Sequence, residues 1–90
     1  MKVQAEISIY PLRQKELTEP IQQFVKLLKN NKLKVEVGSM STLVTGEAPV
    51  VFENLQKAFE RLAQKYEVVM NAKISNACPE FNRDGRSFKE

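Results

Sequence analysis

Ninety residues, 42% of them hydrophobic and 28% charged, are enough for one small globular core and too few for two. The chain has no histidine and one cysteine, Cys78, which excludes imidazole-based catalysis, a histidine-containing zinc site, an internal disulfide and any CxxC motif. Fourteen basic residues against eleven acidic give a net charge of +3, but lysines and glutamates interleave without the basic cluster that a nucleic-acid surface needs.

Val3, Ala5, Ile7 and Ile9 alternate with Gln4, Glu6, Ser8 and Tyr10, the period of a strand with one buried face. Pro11, which has no N–H for a ladder, is expected to end it, and Leu12 to Leu17 reads as a polar connector. Thr18-Glu19-Pro20 has the composition of a helix start, with Thr18 as the expected cap. Ile21, Phe24, Val25 and Leu28 follow at helical spacing, and Asn30-Asn31 is expected to stop the helix in the left-handed conformation. Leu33, Val35 and Val37 mark a second strand, and Ser39-Met40-Ser41 links it to a third over Thr42 to Glu47. Pro49 stands where a second helix begins, with Val51, Leu55, Ala58, Phe59 and Leu62 on its inner stripe and an end near Tyr66. Val68, Met70, Ala72 and Ile74 then alternate with Val69, Asn71, Lys73 and Ser75 as a fourth strand.

The order β-α-β-β-α-β predicts an α+β, ferredoxin-like fold. Right-handed crossovers interleave its two halves into a four-stranded antiparallel sheet in the order 4-1-3-2, with both helices on one face. The expected domain is residues 1–75. After Ile74 the alternation fails, and residues 76–90, with Phe81 and Phe88 isolated among polar neighbours, read as a C-terminal tail.

The second face of the sheet carries the polar half of each strand: Gln4, Glu6, Ser8 and Tyr10; Lys34 and Glu36; Val69, Asn71, Lys73 and Ser75. Thr42 and Val44 join it if the third strand turns Leu43 and Thr45 inward. Such a face is either solvated, with glutamates and lysines as weak cross-strand pairs, or covered by another subunit that leaves polar pockets. Periodicity does not choose between these.

Three segments resemble the YkoF-like thiamine-binding family. They are Val3 to Leu12, a first strand ending in Pro-Leu; Gly38 to Glu47, a Gly-x-Met-x-Thr opening to the third strand; and Met70 to Ile74, with a Lys-Ile pair near the end of the fourth. The resemblance spans Val3 to Ile74. It implies the ferredoxin-like fold, association through sheet faces into a homodimer or homotetramer, and binding of thiamine or its hydroxymethylpyrimidine moiety without catalysis or a cofactor. One departure is that Asn76-Ala77-Cys78-Pro79 interrupts the basic C-terminal helix found in the family.

Hydroxyls, amides and a carboxylate can satisfy an aminopyrimidine, and a carboxylate favours the fixed charge of a thiazolium. The candidate ligand-binding residues are therefore Glu6 as the carboxylate, Ser8 and Thr42 as hydroxyl partners, Tyr10 to stack on the heterocycle, Met40 to pack against it, and Ser41 and Lys73 beside them. Glu6 has an equal alternative as the cross-strand partner of Lys73. Gly38 and Gly46 are expected to serve backbone geometry, and Cys78 to be an inert thiol. No metal or catalytic residue is expected.

Other functions of this topology fit less well. The third strand has no aromatic on which an RNA base could stack. The connector after the first strand offers Arg13 but no glycine for a phosphate-cradling loop, and no cysteine pair for a carried metal. The alternative left open is an oligomeric regulatory or structural domain that senses another small metabolite. With no apolar run near the roughly 20 residues of a membrane helix, and alternation starting at Val3, a cytoplasmic protein without signal peptide or membrane partner is expected.

Overall fold

The computed structural model describes residues 1–77. Six elements follow one another: β1 (Lys2–Leu12), α1 (Thr18–Leu28), β2 (Lys34–Val37), β3 (Thr42–Glu47), α2 (Ala48–Ala63) and β4 (Glu67–Ser75). All strand pairs are antiparallel and the sheet order is β2-β3-β1-β4, the expected ferredoxin-like arrangement. Both helices cover one face, as single apolar stripes require. Phe24 and Leu28 of α1, and Val51, Leu55, Ala58 and Leu62 of α2, close over Val3, Ala5, Ile7, Ile9 and Val44. No helix among the described residues is long and apolar enough to cross a membrane. The tail from residue 78 onward, with Cys78, Phe81 and Phe88, lies outside the described residues.

The β1–β3 register corrects the conditional phase of the third strand. Val3, Ala5 and Ile7 stand opposite Gly46, Val44 and Thr42, and opposed residues share a face. Thr42, Val44 and Gly46 therefore face the helices, while Leu43 and Thr45 lie on the open side with Glu6 and Gln4. Three apolar inward residues of β1 outweigh the ambiguous Thr-Leu-Val-Thr of β3.

β1 passes through Pro11 instead of stopping there. Pairing with β3 ends at Ile7↔Thr42, whereas pairing with β4 continues to Leu12↔Glu67. From Ser8 onward β1 is thus an edge on its β3 side, where a residue without an N–H is tolerated. Arg13, at φ 55, then turns the chain in the left-handed region, and its guanidinium pairs with Glu67.

The helix ends also differ from expectation. Leu17 holds the N-cap position of α1 with no side-chain cap bond, so Thr18 is already helical. At the other end Asn30 stops the chain through its side chain, Oδ1 accepting from Lys32 N at 2.7 Å, and not by left-handed backbone. Three inward residues are left uncovered at the sheet margins: Val37 on β2, and Ala72 and Ile74 on β4. Phe59 is half-buried outside the core cluster.

Candidate functional site

The mismatch in strand length makes a notch. β1 runs on past the start of β3, the β2–β3 link crosses beside it, and the first turns of α1 stand over the gap. The result is a cleft of about 360 Å³. Ile7, Ile9 and Phe24 form its inner wall, and Leu17, Ile21, Val25 and Val37 its outer one. Ser39, Met40, Ser41 and Thr42 supply the side made by the link, and Ser8, Tyr10 and Pro11 the exposed edge of β1. No side chain in this lining is charged.

Gly38 makes the link possible. Its N–H donates to Ser41 O at 2.8 Å, and a Cβ there would stand 3.0 Å from that oxygen. The tight closure projects Met40 outward, 87% exposed at the mouth. Ser41 is oriented from the open face: its Oγ donates to Glu6 Oε2 at 3.0 Å.

Thr42 is 7% exposed, yet its hydroxyl takes part in no hydrogen bond among the described residues. No buried side-chain oxygen there is both sealed from solvent and unpartnered, so this hydroxyl opens into the cleft.

Of the seven residues the sequence nominates, Ser8, Tyr10, Met40, Ser41 and Thr42 line this one cleft. Glu6 and Lys73 do not. Glu6 stands behind Ser41, and Lys73, although opposite Glu6 in the β1–β4 register, forms no ion pair with it among the described residues. The site also differs in place from the expectation. Its floor belongs to the helix side, and Thr42 reaches it from that side, not from the open face.

Among the lining residues that the sequence did not nominate are Ile9, Leu17, Ile21, Phe24 and Ser39. Leu17 alone left a signal, an apolar residue in an otherwise polar connector. The others read as ordinary core or link positions.

The open face has a different character. Lys34 Nζ and Glu36 Oε2 pair at 3.5 Å near one edge. At the opposite edge Tyr10 stands across from Val69, 52% and 49% exposed, with Leu12 next to them. These three make an exposed apolar patch at one end of an otherwise polar surface.

This fold recurs in solved structures. A hypothetical protein of Methanocaldococcus jannascii is 26% identical with TM-score 0.78, covering 90% of this chain and 86% of its own. A Streptococcus pneumoniae protein is 26% identical with TM-score 0.77, over 83% and 86%. A Thermotoga maritima protein named as a candidate for thiamine biosynthesis or salvage has TM-score 0.75 at 23% identity, over 96% and 89%. None of the curated proteins matches the chain. The class is thus a small ferredoxin-like domain with a cleft at an interrupted strand edge. The family model of the thiamine-binding proteins matches residues 5–78, and the chain belongs to that family.

Proposed function

We propose that the protein binds thiamine or its hydroxymethylpyrimidine moiety, without catalysis, in the cleft beside β1. The observation that carries this reading is the uncharged, hydroxyl-edged lining. Ser39 and Thr42 can each donate and accept, and Ser41, whose proton goes to Glu6 Oε2, can accept, which suits an exocyclic amine and ring nitrogens, while Leu17, Ile21 and Val37 offer apolar walls to a flat ring. The volume is at the lower end of the range for small-ligand clefts, about 300–1,000 Å³.

An amino acid is a poorer occupant. Its ammonium and carboxylate both need charged or fully hydrogen-bonded partners once desolvated, and this lining has no charged side chain. The thiazolium of thiamine meets the same restriction. The pyrimidine therefore occupies the cleft and the cationic ring lies at its mouth.

Calorimetric titration tests this reading. Thiamine and hydroxymethylpyrimidine should both give saturable heats and raise the melting temperature, and glycine or leucine should do neither. Absence of any shift with either pyrimidine at millimolar concentration defeats it. The Tyr10–Leu12–Val69 patch supports a second part of the proposal, that a sister chain covers this end of the open face in a homodimer or homotetramer. Sedimentation should find an assembly larger than one 10.3 kDa chain, and Val69→Lys should dissociate it. A monomeric wild type refutes the assembly but leaves the cleft in place.

A further inference from the structure

The cleft does not end at its outer wall. A second depression runs on along α1, and the two share Ile21, Val25 and Val37. Its far part is bordered by Lys26 and Lys29, and Lys29 also borders the next hollow along the seam, with Leu33 and Val35 of β2. Val25 and Lys29 are one turn apart, roughly 6 Å along the axis, so an apolar floor passes directly into a cationic stretch. Neither ammonium is paired with a carboxylate among the described residues. The one acid of this depression, Glu19, lies about 10 Å back along the helix from Lys26, and its carboxylate accepts from Gln23 Nε2.

Charge is thus absent inside the cleft and concentrated outside it along the α1–β2 seam. We infer that this seam is a phosphate subsite, and that the preferred ligand is a phosphorylated form of the proposed one, thiamine monophosphate. The inference rests on the reading of the cleft as the pyrimidine site. With the pyrimidine inside and the thiazolium at the mouth, the hydroxyethyl arm leaves along the shared Ile21–Val25–Val37 wall, and its phosphate arrives between Lys26 and Lys29. Surface lysines act on it as point charges, screened by salt over about 8–10 Å.

The test compares thiamine with thiamine monophosphate by calorimetry, on the wild type and on the Lys26→Gln/Lys29→Gln double variant. At low salt the monophosphate should bind about tenfold more tightly to the wild type, as two screened contacts to a charged group allow. That preference should shrink as salt is raised. In the double variant the two ligands should bind equally, with thiamine affinity changed less than about twofold. Equal affinities in the wild type, or a preference that survives the double substitution, overturn the subsite while thiamine binding stands. If neither compound binds, the cleft reading falls and takes the subsite with it.

Discussion

β3 carries two threonines on opposite faces, and they make a controlled experiment. Thr42 and Thr45 are 7% and 8% exposed, neither hydroxyl has a protein partner among the described residues, and they are three residues apart. Thr42 opens into the cleft on the helix side; Thr45 lies on the open face between Gln4 and Lys34. Replacing either with valine exchanges a hydroxyl for a methyl of similar size. Because no protein hydrogen bond is lost and both hydroxyls reach solvent, neither substitution should change the stability of the fold by more than about 0.5 kcal/mol.

Ligand binding should separate the two. Thr42→Val deprives a bound aminopyrimidine of one hydrogen bond, a net loss of about 1 kcal/mol or roughly a fivefold rise in Kd. Thr45→Val should leave Kd unchanged. Urea unfolding and calorimetry on both variants provide the measurements. A loss of more than about 1 kcal/mol of stability in Thr42→Val would show that its hydroxyl anchors the fold. Weakened binding in Thr45→Val, with Thr42→Val unaffected, would move the site to the open face and refute the helix-side cleft.

Three other outcomes follow from single contacts. Ser41→Ala should weaken thiamine binding by about 1 kcal/mol, and Glu6→Gln by less, because glutamine keeps an acceptor for Ser41; the double variant should lose less than the sum, which a double-mutant cycle measures. Gly46→Ala should cost about 1–3 kcal/mol in urea unfolding by overpacking, since its Cβ would stand 2.6 Å from Leu33 Cδ2 and 3.2 Å from Lys32 O; a neutral substitution would mean that the Lys32-Leu33 segment moves aside freely. The Met1 ammonium, hydrogen-bonded to Glu47 Oε1 at 2.9 Å, holds the Glu47 carboxyl below its ordinary 4.5. That pair stabilises the fold above pH 4.5 and is lost as pH falls through the lowered value, so Glu47→Gln should flatten the acid limb of the stability profile, and an unchanged limb would remove the pair from the account.

What the sequence disclosed follows from which signals are local. The alternation of β1 and β4 and the stripes of α1 and α2 are each written within about ten residues, and with right-handed crossovers they determine the sheet order. The phase of β3 is not written locally. Thr42-Leu43-Val44-Thr45 has no decisive apolar face, and the side it presents is dictated by its pairing with Val3, Ala5 and Ile7, some forty residues away. The same long-range pairing explains Pro11. Proline ends a strand that has neighbours on both sides, but where β3 runs out, one side of β1 has no ladder to break.

Five residues of the candidate cleft were nominated from the sequence, but its place was not legible there. Met40, Ser41 and Thr42 could be singled out because they stand in the segment that opens the third strand, and Ser8 and Tyr10 because they alternate outward on the first. Their location could not, because the cleft exists only through a difference between two lengths: β1 continues to Leu12, while the pairing of β3 starts at Thr42. Had the two strands been equal, the Ser39–Ser41 link would close over a finished sheet, and Ile21 and Val37, 37% and 61% exposed, would lose their open side. The unequal ladder leaves these apolar residues beside the Thr42 hydroxyl, which has no protein partner among the described residues, at an open strand edge, a combination a folded domain ordinarily covers. A small flat ligand with donors on its rim relieves both conditions together. Lengthening β3 by design, through substitutions that pair residues 39–41 with β1, should therefore stabilise the domain and abolish binding in one step, and a variant that gained stability while keeping its affinity would separate the cleft from the strand edge that creates it.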